Sequence, residues 1–171
     1  MRKYLCFTDI DGVLTSSRVH TAHNAYEAKM WQRFDPVGID FFNYIHDTYP
    51  VEFCLMSTWK NDLRNDDPMI EHWVRAAFAN SGFRGMFASP WKTDPENLAA
   101  TKGWDRGNEV RDYLENFGTD VEDFILFDDS RHRFKEILGK QRLVWTDSTD
   151  GLLHKHMLNA KSLMGNWEKR K

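Results

Sequence analysis

Apolar and polar positions fall into two alternating kinds of run along this chain. Four runs are short and almost wholly apolar: KYLCFT (residues 3–8), VEFCLM (51–56), FILF (124–127) and RLVWT (142–146). Short apolar runs of this kind predict strands buried on both faces. Between them, apolar residues recur at helical spacing. VGIDFFNYIHDTY (37–49) follows Pro36, which suits a helix's first turn, and MIEHWVRAAFANSGF (69–83) stops at Ser81-Gly82. WDRGNEVRDYLENFG (104–118) is amphipathic through Val110, Tyr113, Leu114 and Phe117, and GLLHKHMLNAKSLMG (151–165) repeats the pattern. Residues 15–35 and 84–103 carry no such period. The first segment reads as a substrate-facing loop or a very small cap, and the second holds a possible short strand at GMFAS followed by a loop leading to Trp104.

Strands alternating with helices predict an α/β fold, a doubly wound and mainly parallel sheet with helices on both faces. In such sheets, sites collect beyond the carboxyl ends of the strands. A chain of 171 residues suits one domain, taken as residues 1–171, and it contains no internal repeat. The balance of 23 basic against 26 acidic residues, net −3, excludes a global field for nucleic acid or membrane but leaves room for a local basic groove. Cys6 and Cys54 lie inside apolar runs, where a cysteine acts as a small hydrophobe. The apolar stretch of MRKYLCFTD is too short for a signal peptide or a membrane span. The expectation is a soluble, unprocessed, cytoplasmic protein.

Charge then appears where an apolar strand ends. FTDIDGVL places Asp9 and Asp11 two positions apart, so that in extended backbone both carboxylates point the same way, with Gly12 allowing a sharp turn behind them. Two like charges this close repel unless a cation or proton intervenes. An Asp-Gly turn is the plain alternative. FILFDDS adds Asp128 and Asp129 after another strand; carboxylates from two strand ends can converge on a hard cation such as magnesium, although a helix N-cap would also use an acid there. LMSTWK puts Ser57 and Thr58 after the second strand, either as hydroxyl donors to an anion or as an ordinary cap. Lys102, in TKGW, stands just ahead of a helix, where its charge could compensate the acids or simply face solvent.

The order Asp-x-Asp-Gly, Ser-Thr, Lys, Asp-Asp resembles that of the haloacid dehalogenase (HAD) superfamily of phosphohydrolases, along most of the chain. Within it, FDPVGIDFFNYIHDTYPVEFCLMSTWK and RLVWTDSTDGLL look closest to the small, nearly capless phosphatase domains of nucleic-acid repair and of phage or bacterial nucleotide metabolism. The resemblance implies a Mg2+-dependent phosphomonoesterase with an aspartyl-phosphate intermediate. Asp9 would be the nucleophile and Asp11 the general acid and base; Asp9, the carbonyl of Asp11, Asp128 and Asp129 would hold the metal. Ser57, Thr58 and Lys102 would bind the phosphoryl group, with Lys92 as the rival lysine.

A short insert implies an open site, suited to a nucleotide or to a 3′ or 5′ nucleic-acid end. Aromatic residues near the site, Tyr26, Trp31, Phe34, Trp59 and Trp91, could stack on a base or pack the core, and Arg18, His20, His23, Arg33 and Lys60 could touch phosphate or lie on the surface. No membrane and no obligate protein partner are expected. The rival readings are a phosphatase of a non-nucleotide metabolite and a non-catalytic phosphate-binding or receiver-like domain. In a receiver the acidic pair comes first and the lysine last, whereas here the pair comes late and a glycine follows the first motif.

Overall fold

A computed structural model describes residues 3–25, 34–61, 69–93 and 105–170. In chain order the elements are β1 (Lys3–Thr8), α1 (Ser17–Ala25), α2 (Pro36–Thr48), β2 (Val51–Leu55), a 3-10 turn (Thr58–Asn61), α3 (Met69–Asn80) and β3 (Phe87–Lys92). They continue with α4 (Arg106–Phe117), β4 (Val121–Asp128), α5 (Phe134–Leu138), β5 (Leu143–Trp145) and α6 (His154–Leu163). The strands form one sheet in the order β3-β2-β1-β4-β5, and every pairing is parallel.

The alternation of β1 explains why its sequence is apolar throughout. Tyr4 and Cys6 face one core with Ile39, Phe42 and Ile45 of α2, Val74 and Phe78 of α3 and Ala160 of α6. Leu5 and Phe7 face the other, with Val110 and Tyr113 of α4 and Phe134 of α5. Helices therefore cover both faces, the arrangement that a parallel sheet requires. Cys6 and Cys54 sit on opposite faces and form no disulfide.

Caps fix where the helices begin. Asp35 accepts the N–H of Val37 at 3.0 Å ahead of Pro36, and Asp105 accepts the N–H of Gly107 at 2.8 Å ahead of Arg106. Such caps contribute about 1 kcal/mol each. A cap also creates α1, inside the segment read as a loop or small cap: Ser16 Oγ accepts the N–H of Val19 at 3.3 Å, and the Ser17 and Arg18 N–H groups bond to the carbonyls of Ser148 and Thr149. Val19 is its buried anchor, so no apolar period announces it. The third strand runs Phe87–Lys92, two residues past the start of GMFAS and through Pro90. Proline is tolerated there because β3 is an edge strand. Among the described residues no helix is long and apolar enough to cross a membrane.

Candidate active site

The chain lays β1, β2 and β3 outward in one direction, then crosses back to add β4 and β5 on the other side of β1. A crevice opens beyond the carboxyl ends of β1 and β4, where the strand order reverses. Asp9 follows β1 directly and Asp128 ends β4; the Asp9 N–H bonds to the Phe127 carbonyl at 2.8 Å. The parallel pairing of Thr8 with Phe127 thus delivers both acids to one spot.

Both carboxylates are buried. One oxygen of Asp9 accepts the N–H of Ile10 at 2.7 Å, and one of Asp128 accepts the N–H of Ser130 at 2.7 Å. Their other oxygens share Nη1 of Arg106, which bonds to Asp9 and, at 2.7 Å, to Asp128. Arg106 is the first residue of α4, held there by the Asp105 cap, and Asp105 also receives Arg133 Nε at 3.3 Å from the loop after β4. The guanidinium is itself buried. Burial alone would lower its pKa, but Asp9 and Asp128 outweigh that and raise it, so the cation is permanent. Its Nε, also buried, has no hydrogen-bond partner among the described residues.

Asp129 lies beside this pair: one carboxylate oxygen each from Asp9, Asp128 and Asp129 can be chosen so that all lie within 4.8 Å of one another. Burial, opposed by Arg106 and reinforced by Asp9, pushes the Asp128 carboxyl up to about 7. Burial and then Asp9 likewise raise Asp129. No basic side chain pairs with Asp129 among the described residues; Ser130 Oγ reaches it at 3.3 Å. Three converging carboxylates make an all-oxygen donor set that fits a hard divalent cation. Gly12 makes room for the Asp129 carboxylate. Its φ is +71°, and a Cβ there would overlap the Asp129 carboxylate.

Asp11 takes a different direction and is exposed. Thr15 Oγ1 donates to one of its oxygens at 2.9 Å and Trp59 Nε1 to the other at 2.9 Å. Ser57, beyond β2, is fully buried and accepts the Trp59 N–H at 3.3 Å, while Thr58 is exposed. Trp59 thus links the second strand end to Asp11 while its ring rests 5.9 Å from that of Phe34. Arg18 pairs with buried Asp35 and bonds to the Asp150 carbonyl, which ties α1 to the body of the fold. Lys92 ends β3 with its ammonium over the Trp91 ring. Tyr26, Trp31, Arg33 and Lys102 and the side chains of His23 and Lys60 lie outside the described residues.

Sequence reasoning passed over Arg106 and Thr15. A signal for Arg106 was present: a cation in a helix's first turn opposes the macrodipole, so its placement needs an anionic partner. Residues 5–157 match the family model described as "HAD domain in Swiss Army Knife RNA repair proteins". The chain belongs to this family. Neither a curated protein nor a solved structure matches the chain. The five-stranded parallel sheet is the HAD-like doubly wound α/β fold, and the family connects this HAD domain with RNA repair.

Proposed function

We propose that this HAD domain is a phosphomonoesterase that removes a terminal phosphate from a nucleotide or a nucleic-acid end through an aspartyl-phosphate intermediate. The observation that carries the reading is the convergence, at the switch point of the sheet, of Asp9, Asp128, Asp129 and buried Arg106. The RNA-repair context of the family supports a nucleic-acid substrate.

In this mechanism Asp9 attacks phosphorus, the bond to the leaving oxygen breaks, and Asp11 supplies the proton that this oxygen takes up. Asp11 then removes a proton from the water that cleaves the aspartyl phosphate, releasing inorganic phosphate and regenerating Asp9. Thr15 and Trp59 orient Asp11 for both transfers. Ser57 accepts from the Trp59 N–H, which leaves its own hydroxyl proton to donate to a phosphoryl oxygen. The buried Nε of Arg106, which has no partner among the described residues, is a second such donor. Arg106 thus joins Lys102, which lies outside the described residues, in the phosphoryl-binding role. Asp9, Asp128 and Asp129, with the main-chain carbonyl of Asp11, would hold Mg2+. Bound there, the ion neutralises the acids so that a phosphate dianion can approach them.

The test is phosphate release from p-nitrophenyl phosphate, from mononucleotides, from sugar phosphates and from RNA and DNA with 3′ or 5′ phosphates, with and without Mg2+. Expected are metal-dependent release, preference for nucleotide or polynucleotide substrates, and loss of turnover by at least about 10³-fold in Asp9→Asn. Equal rates on sugar phosphates would remove the nucleotide assignment. No release with any divalent cation would leave a binding domain.

A further inference from the structure

Beside the crevice lies a second hollow that the proposed mechanism does not use. Between α5 and the edge strand β5, a cavity of about 330 Å³ is lined by Arg131, Glu136 and Trp145 among others. That volume is at the lower end of the range for small-ligand sites, about 300–1,000 Å³. Trp145 pairs in register with Asp128, so it stands one strand beyond the acids, about 10 Å from β1 at the usual strand spacing.

Trp145 is 46% exposed, although a ring this large ordinarily gains most by burial. It is nevertheless fixed. Its indole N–H donates to the Asp129 carbonyl at 2.7 Å, which locks the ring to the acid site. The Arg131 guanidinium lies 4.0 Å from the ring centroid, a cation–π stack in the cavity wall. Charge on the wall is predominantly basic. Arg142 is committed to Asp123 at 2.6 Å and Lys140 reaches the same carboxylate at 3.7 Å. Arg131 and Lys135 line the cavity with no carboxylate partner among the described residues.

An exposed, oriented indole beside two cations with no carboxylate partner among the described residues is the combination that single-stranded nucleic acids use, bases stacking on the ring and phosphates meeting the cations. An acidic peptide would use the cations and leave the ring idle. We propose that this cavity is the subsite for the nucleotide that follows the terminal phosphate of a single-stranded polynucleotide. Its base stacks on Trp145, and its backbone phosphate is held by Arg131 and Lys135. The inference rests on the phosphatase reading of the Asp9 site, and it makes a polynucleotide end the preferred substrate over a mononucleotide.

The test uses the full chain in its Asp9→Asn form, so that turnover does not consume the probe. Fluorescence anisotropy reads binding of short fluorescein-labelled single-stranded RNAs, one with a 3′ and one with a 5′ phosphate. Trp145→Ala should weaken the tighter of the two by about tenfold, whereas Trp145→Phe, which keeps a stacking ring, should stay within about threefold. Arg131→Ala and Lys135→Ala should each weaken binding and reduce the salt slope by about 0.7. With Asp9 intact, Trp145→Ala should lose about tenfold more kcat/KM on RNA than on p-nitrophenyl phosphate.

Unchanged RNA affinity in folded Trp145→Ala overturns the subsite, as does a phenylalanine variant no better than alanine. Displacement of RNA by an acidic peptide of equal charge does so too. Should Trp145→Ala fail to fold, the surface variant Lys135→Ala still decides the matter: unchanged affinity and salt slope in it overturn the subsite. Turnover of p-nitrophenyl phosphate with RNA binding insensitive to Trp145 leaves the phosphatase and removes the subsite. RNA binding that depends on Trp145, with no turnover of any substrate, does the reverse.

Discussion

A guanidinium buried between two carboxylates has exchanged its water for those partners, so removing it leaves two carboxylate charges unpaired in a poorly solvated place. Arg106 occupies that position between Asp9 and Asp128. Arg106→Ala should destabilise the fold by about 3–5 kcal/mol, read as a lower urea midpoint, and should abolish phosphate release. Arg106→Lys keeps a point charge but loses the planar fork and Nε, so stability should recover more than turnover. Lys102→Ala, measured alongside, should cost less turnover than Arg106→Lys. A larger loss in Lys102→Ala would make the lysine the main phosphoryl-binding residue. Thr15 was illegible in the sequence for a simpler reason: a hydroxyl four residues after Asp11 meets that carboxylate only because the chain turns at Gly12.

Helix α6 begins without a serine, threonine or aspartate cap. His156 replaces one: its Nδ1 accepts the Leu153 N–H at 2.9 Å, which requires a neutral ring with that nitrogen unprotonated. Burial, followed by Lys155, lowers the His156 pKa in the folded chain. The unfolded chain therefore binds the proton at a higher pH, near 6.5. Stability from this group is complete above that value, is lost as pH falls to the lowered folded pKa, and changes no further below it. The urea midpoint should fall on acidification through this window, and His156→Gln, which cannot titrate, should fall less. Equal slopes in the two proteins would exclude the His156 cap as the cause. The same scale explains what periodicity missed. Helix α5 has five residues, too few to display a helical repeat, and α1 depends on backbone carbonyls from Ser148 and Thr149.

For the molecule as a whole, the sheet gathers acids at the β1–β4 switch point that repel one another except where Arg106 intervenes. A ligand that binds the folded chain alone stabilises it by mass action, by about 2.7 kcal/mol at a hundredfold excess over its Kd. Magnesium should therefore raise the melting temperature by several degrees. Asp129→Asn should shrink that rise, because Asp129 is the acid of the cluster with no basic partner among the described residues. An equal shift in the asparagine variant would exclude Asp129 as a ligand.

The sequence by itself determined the alternation of buried strands and amphipathic helices, because side-chain burial on a parallel sheet is written directly in apolar runs and periods. It also determined which strand ends carry acids and hydroxyls, since those residues adjoin the apolar runs. Tertiary structure alone decided that Asp9 and Asp128 share one guanidinium, that Asp11 turns to Trp59, and that Trp145 stands exposed beside Asp129. These are contacts between residues as far as 97 positions apart in the chain. Strand order creates them, and strand order depends on which sheet edge each new strand joins, a choice that no local pattern of residues records.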